Sequence, residues 1–121
     1  MHLRHLYNKL KDTVIENMDF EAFLGQYAPR ANDFIFLDPP YDSEFSTYAQ
    51  NKFSMEDQAR LAGYLIERCP ARWLLVVKNT PAIVRLYAHP GLNVRMFDKK
   101  CLVSFQDRND RNVRHLIITN Y

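Results

Sequence analysis

Glycine is scarce in this 121-residue chain: Gly25, Gly63 and Gly91 are scattered through or beside predicted helices, and no glycine-rich loop is present. Cysteine is scarcer still. Cys69 and Cys101 stand alone without C-x-x-C spacing, which points to reduced thiols and away from a disulfide framework or a zinc site. His2, His5, His89 and His115 do not supply a metal site either, since the first two belong to a solvated terminus. No apolar run approaches the length that spans a bilayer, and Met1-His2-Leu3-Arg4-His5 has no signal-peptide character. These absences predict a cytoplasmic chain with no membrane partner and no metal. Repeats, low-complexity stretches and linkers are also missing.

What is present is the composition of a packed domain, 47% hydrophobic and 25% charged, in a length that allows one domain at most. The net charge of +2 conceals an asymmetry. Residues 1–44 carry 4 Lys/Arg against 8 Asp/Glu, whereas residues 45–121 carry 12 against 6. The basic half is the side suited to polyanion contact, with a solvated basic face as the plain alternative.

Apolar periodicity and punctuation predict helices alternating with short strands, an α/β class. A helix is expected over His2 to Lys11, a short strand over Thr13 to Asn17, and a helix from the cap Asp19 to about Tyr27. Phe34-Ile35-Phe36-Leu37 is a continuous apolar run of the kind that fills a parallel strand covered on both faces. Ser54 followed by Asp57 reads as a helix start, with Leu61, Tyr64, Leu65 and Arg68 at helical spacing until Pro70. Trp73 to Val77 is a second buried strand. Thr80-Pro81 opens a helix that ends near Tyr87, before His89-Pro90-Gly91. Strands are expected from Leu92 to Phe97, continuing through Leu102 to Phe105, and from His115 to Asn120, joined as a hairpin through the polar loop Gln106 to Asn112.

Asp38-Pro39-Pro40-Tyr41 carries the chemistry. An acidic residue at the carboxyl end of a buried parallel strand sits where open α/β sheets place their ligands. The two prolines stiffen the loop and hold Asp38 away from helical geometry. Neither proline has an N–H, so the loop offers mainly acceptors. A carboxylate, a proline carbonyl and an adjacent aromatic ring suit an exocyclic amino group on a flat, stackable ring. The bland competitor is a strand-terminating turn.

These residues resemble motif IV of the amino methyltransferases, and their flanks resemble the Dam/DpnII class of DNA adenine methyltransferases over nearly the whole chain. Val14 to Phe20 is similar to that class's motif III, Phe45, Tyr48, Phe53 and the Asp57-Gln58 helix to the segment after motif IV, and Leu75 to Asn79 to the next strand end, with Lys78 where the family often has Ser. His115 to Tyr121 resembles the closing strand and C-terminus. The resemblance implies S-adenosylmethionine as cofactor, contacted by Asp19, Phe20 and Asp38, and duplex DNA as substrate. A flipped adenine would stack on Tyr41, beside Tyr48 and Phe53, while Asp38 and the Pro39 carbonyl accept its two amino hydrogens. Lys99, Lys100, Arg108, Arg111 and Arg114 become candidate phosphate contacts, their alternative being solvated hairpin charges. Asp19 has a helix-cap reading compatible with cofactor contact, and Phe45, Tyr48 and Phe53 a loop-packing one.

The family's F-x-G-x-G cofactor loop and most of its DNA-recognition region lie upstream of everything seen here. Residues 1–121 therefore read as the C-terminal catalytic portion of an incomplete Rossmann-like methyltransferase fold, with parallel strands and a terminal antiparallel hairpin. In the family's strand order, two absent strands separate Thr13 to Asn17 from Phe34 to Leu37. The exposed edges predict a complementing N-terminal fragment, a swapped homodimer or a displaced N-terminal segment. Two other readings share the loop chemistry: an amino methyltransferase acting on RNA or a protein amide, and a non-catalytic binding remnant.

Overall fold

The computed structural model describes residues 2–40, 53–98 and 114–121. Helix α3 (Met55–Glu67) organises the core. Its start is fixed by a capping box in which the Ser54 hydroxyl accepts from the Asp57 N–H and the Asp57 carboxylate accepts from the Ser54 N–H. Gln58, Leu61, Ala62 and Leu65 then fall on one face, and all four are buried. That face packs on strand β2 (Arg72–Lys78), whose alternate residues Trp73, Leu75 and Val77 are buried with it. The Trp73 indole N–H donates to the Leu65 carbonyl at 3.2 Å, satisfying an acceptor in the last turns of α3.

Four strands form the sheet in the order β1-β2-β4-β3, with β1 at Phe34–Leu37, β3 at Asn93–Asp98 and β4 at Arg114–Thr119. Strands β1 and β2 are parallel, and the other two pairings are antiparallel. The predicted hairpin partners do pair, Asn93 opposite Thr119 through Asp98 opposite Arg114. Helix α4 (Pro81–Leu86) begins at the expected cap, with the Thr80 hydroxyl accepting from the Ile83 N–H, and adds Ile83 to the core; Tyr87, just past its end, adds its ring. The sheet closes with Asn120, whose side-chain amide accepts from the Trp73 N–H at 2.9 Å and donates to the Ala71 carbonyl at 3.0 Å. The arrangement is the mixed α/β class expected.

Two expectations need correction. Thr13 to Asn17 is not a strand: after α1 (His2–Leu10) it runs as irregular chain with Val14 and Ile15 exposed, tied to α2 (Phe20–Gln26) where the Tyr27 hydroxyl donates to Glu16 at 2.7 Å. A strand exists only through a hydrogen-bonded neighbour, and no described strand pairs with this segment. Strand β1 is also not covered on both faces. Ile35 and Leu37 pack against the core, but Phe34 and Phe36 are 56% and 63% exposed, because β1 is an edge strand and α3 and α4 lie on one side of the sheet. Leu102 to Phe105 and the Gln106 to Asn112 loop, like Cys101, lie outside the described residues; Cys69 is a free thiol. Among the described residues no helix is long and apolar enough to cross a membrane, and no cluster of side chains could hold a metal.

Candidate active site

Strand β1 ends at Leu37, and the next three residues, Asp38, Pro39 and Pro40, form one wall of a cavity of about 390 Å³. Met18, Asp19 and Phe20 at the start of α2 also line it, and Phe36, Leu37, Phe53 and Leu61 complete the lining. The sequence-predicted residues from two separate segments, 19–20 and 38–40, thus meet at the carboxyl end of a parallel strand, the position at which open α/β sheets bind ligands. The surround is largely apolar and aromatic, with carboxylates at two points. Phe20 and Phe53 are 5.8 Å apart between ring centroids and inclined at 57°, leaving the cavity with flat walls at differing tilts.

Asp19 is the N-cap of α2, as expected, its Oδ2 accepting from the N–H groups of Glu21 at 3.0 Å and Ala22 at 3.3 Å. Its second partner is not legible from local sequence. Arg60 of α3 grips both Asp19 oxygens, Nη2 to Oδ1 at 2.9 Å and Nη1 to Oδ2 at 3.1 Å. The same guanidinium reaches Asp57 at 3.0 Å and Glu21 at 3.3 Å, and its carbon lies 4.4 Å from the centre of the Phe20 ring. The Arg60 hydrogen bonds lead the causes that hold the Asp19 carboxyl down at about 2, below its ordinary 3.8. Asp57 is lowered too, first by the Ser54 N–H and then by Arg60, and Arg60 is itself held more firmly protonated, first by Asp19. The network is partly open to solvent, with 34% exposure at the Arg60 side chain and 47% at Asp19.

Gln58 is the other residue whose role was not anticipated. It is 1% exposed, and its Nε2 donates to the Pro40 carbonyl at 3.4 Å. Its position on the apolar stripe of α3, in register with Leu61, Ala62 and Leu65, is a signal present in the sequence: a polar side chain where a helix turns toward its core. Arg60 leaves no comparable signal, since its main partner is 41 residues away.

Other site candidates are placed only in part. Tyr41, Phe45 and Tyr48 lie outside the described residues, as do Lys99, Lys100, Arg108 and Arg111. Arg114 is described and exposed at the start of β4, remote in sequence from the cavity lining.

The family model for D12 class N6 adenine-specific DNA methyltransferase matches residues 1–101. The chain is 36% identical over 118 residues to the type II methyltransferase M.CviBI of Paramecium bursaria Chlorella virus NC1A, which covers 95% of this chain and 44% of that protein. It is 28% identical to the type II methyltransferase M.MjaIII of Methanocaldococcus jannaschii over 99% of this chain and 43% of that protein. The DNA N-6-adenine-methyltransferase of Escherichia phage P1 is likewise 28% identical, over 93% of this chain and 18% of its own length. The chain spans less than half the length of each of these relatives. With a shared model over most of its length and an Asp-Pro-Pro loop facing an aromatic cavity, this chain belongs to the D12 class of N6 adenine-specific DNA methyltransferases.

Proposed function

We propose that this chain supplies the amine-accepting side of an active site that transfers a methyl group from S-adenosylmethionine to the exocyclic nitrogen of an adenine flipped out of duplex DNA. The observation that carries the reading is the cavity at the end of β1, which Asp38-Pro39-Pro40 and Asp19-Phe20 line together. Its volume, about 390 Å³, falls within the range of roughly 300–1,000 Å³ common to small-molecule sites.

The lining fits S-adenosylmethionine by chemistry. Phe20 offers an apolar face to an adenine ring, and Asp38 offers a carboxylate to a cation. When bound, the cofactor supplies an electrophilic sulfonium methyl. Asp19 acts at this end chiefly by capping α2 and holding Arg60, whose guanidinium lies over the Phe20 ring. Asp38 and the Pro39 carbonyl accept the two amino hydrogens of the target base, drawing its nitrogen lone pair out of ring conjugation. The prolines keep these acceptors in place before substrate arrives, so positioning and electrostatics do the work and no covalent enzyme intermediate forms. Tyr41 stacks on the base beside Tyr48, and Lys99, Lys100, Arg108, Arg111 and Arg114 contact phosphate.

The reading extends to residues 1–121 as the catalytic portion of a larger methyltransferase body. Helix α1 exposes an apolar stripe of Leu3, Leu6, Tyr7 and Leu10, and Val14, Ile15, Phe34 and Phe36 are exposed as well. The outer edge of β1 has no described strand beside it. A complementing polypeptide carrying the cofactor loop, or a second copy of the chain, covers these surfaces. The test is methyl transfer to duplex DNA by this chain alone and with the part of the chlorella virus relative that it does not span. Product N6-methyladenine, greatly increased by the added part, supports the proposal; its absence in both mixtures overturns it.

A further inference from the structure

We propose that Gln58 is a positioning residue that takes the Pro40 carbonyl out of use, so that Asp38 and the Pro39 carbonyl alone face the substrate amine. This rests on the amine-acceptor reading above. A loop with two successive prolines presents several carbonyl oxygens and no N–H between them, so an incoming amino group could be held in more than one pose. Only one pose aims its lone pair along the transfer axis. A donor fixed on one of those carbonyls removes the ambiguity.

The placement of Gln58 meets that requirement. It occupies the second turn of a helix whose start is locked by the Ser54–Asp57 capping box, and its own N–H donates to the Ser54 carbonyl at 2.9 Å. The side chain is 1% exposed, and its Nε2 reaches the Pro40 carbonyl at 3.4 Å across 18 residues of sequence. The amide must face the loop nitrogen-first, because a carbonyl can only accept. Two residues on, Arg60 of the same helix holds Asp19, which also lines the cavity. Helix α3 thereby anchors both lining segments, one through each residue.

The Gln58 Oε1 is buried with no hydrogen-bond partner among the described residues, a costly arrangement on a face otherwise made of Leu61, Ala62 and Leu65. A methionine of similar shape would fill the same space without the unpaired acceptor. Among the described residues the side chain's one hydrogen bond is directed at the Asp-Pro-Pro loop, and the glutamine acts there. At 3.4 Å the contact is a long hydrogen bond.

The test compares Gln58→Met and Gln58→Glu with the unaltered chain in the complemented methyl-transfer assay, with thermal melts of each. Positioning predicts that Gln58→Met melts at the same temperature or higher, keeps the KM for the methyl donor within about threefold, and loses about tenfold to a hundredfold in kcat. A merely structural glutamine predicts that melting temperature and kcat fall together, and that result overturns the inference, as does an unchanged kcat. A mixture inactive on DNA even with the unaltered chain would instead overturn the amine-acceptor reading. The tether is then decided on this chain alone by NMR: nuclear Overhauser contacts from the Gln58 side-chain amide protons to Pro40 sustain it, and their absence in the unaltered chain rejects it.

Discussion

Arg60 and Asp19 meet as a two-point ion pair across 41 residues of sequence, with both carboxylate oxygens held at 2.9 and 3.1 Å. The pair joins the start of α2 to α3, and the Phe20 ring lies against the same guanidinium. Arg60→Met is therefore expected to return the Asp19 carboxyl from about 2 toward its ordinary 3.8, measured by NMR titration of the side-chain carboxyl carbon. Arg60→Lys keeps the charge and loses the planar fork, and should fall between the two. An Asp19 midpoint unmoved in Arg60→Met contradicts the pairing.

The same shift sets a pH dependence. Asp19 is lowered in the folded chain, so its contribution is fully present above the unfolded value near 3.8 and is lost as pH falls toward 2. Asp57, lowered by the Ser54 N–H and by Arg60, acts in the same direction. Thermal melts of the native chain and Arg60→Met should converge as the pH is taken from 5 down to about 2, and salt should reduce their separation at pH 5 because the pair is partly exposed. A separation that grows on acidification would show that another group controls it.

Asn120 is expected to be a stabilising residue. Its amide continues the β2–β4 pairing by serving the Trp73 N–H and the Ala71 carbonyl, both beside the core. Asn120→Ala should cost about 1–3 kcal/mol in urea unfolding, since two backbone groups lose their partner. An unchanged midpoint and slope would mean that water replaces the amide without loss.

Tyr87 predicts the opposite sign. The ring packs 6.3 Å from Trp73 and is 1% exposed, while its hydroxyl has no hydrogen-bond partner among the described residues. Burial pushes the phenol well above its ordinary value of 10. Tyr87→Phe keeps the packing and removes the unpaired group, so stability should hold or rise by about 1 kcal/mol. A loss of that size would reveal a partner for the hydroxyl.

These residues also show what could be read from the chain before its fold. The α3 start was legible because Ser54 and Asp57 cap it locally, and β2 because Trp73, Leu75 and Val77 alternate. Thr80-Pro81 marked α4 for the same reason. The wrong strand at Thr13 to Asn17 has equally good local chemistry in Val14 and Ile15, but strand formation depends on a neighbour that no local pattern specifies. Coverage of Phe34 and Phe36 failed on similar grounds, since which faces are filled is a property of the whole sheet. The cavity was half legible: Asp38-Pro39-Pro40 and Asp19-Phe20 stood out by chemistry, whereas Arg60 required the tertiary meeting of α2 and α3.

Asp38 carries the chemistry proposed for this site, and the most direct measurement is formation of N6-methyladenine in duplex DNA by the complemented chain and by its Asp38→Ala variant, with DNA binding followed alongside. Removing an acceptor on which the transition state depends should lower kcat by about a hundredfold or more while binding is retained. An Asp38→Ala chain that methylates adenine at the native rate would contradict the account.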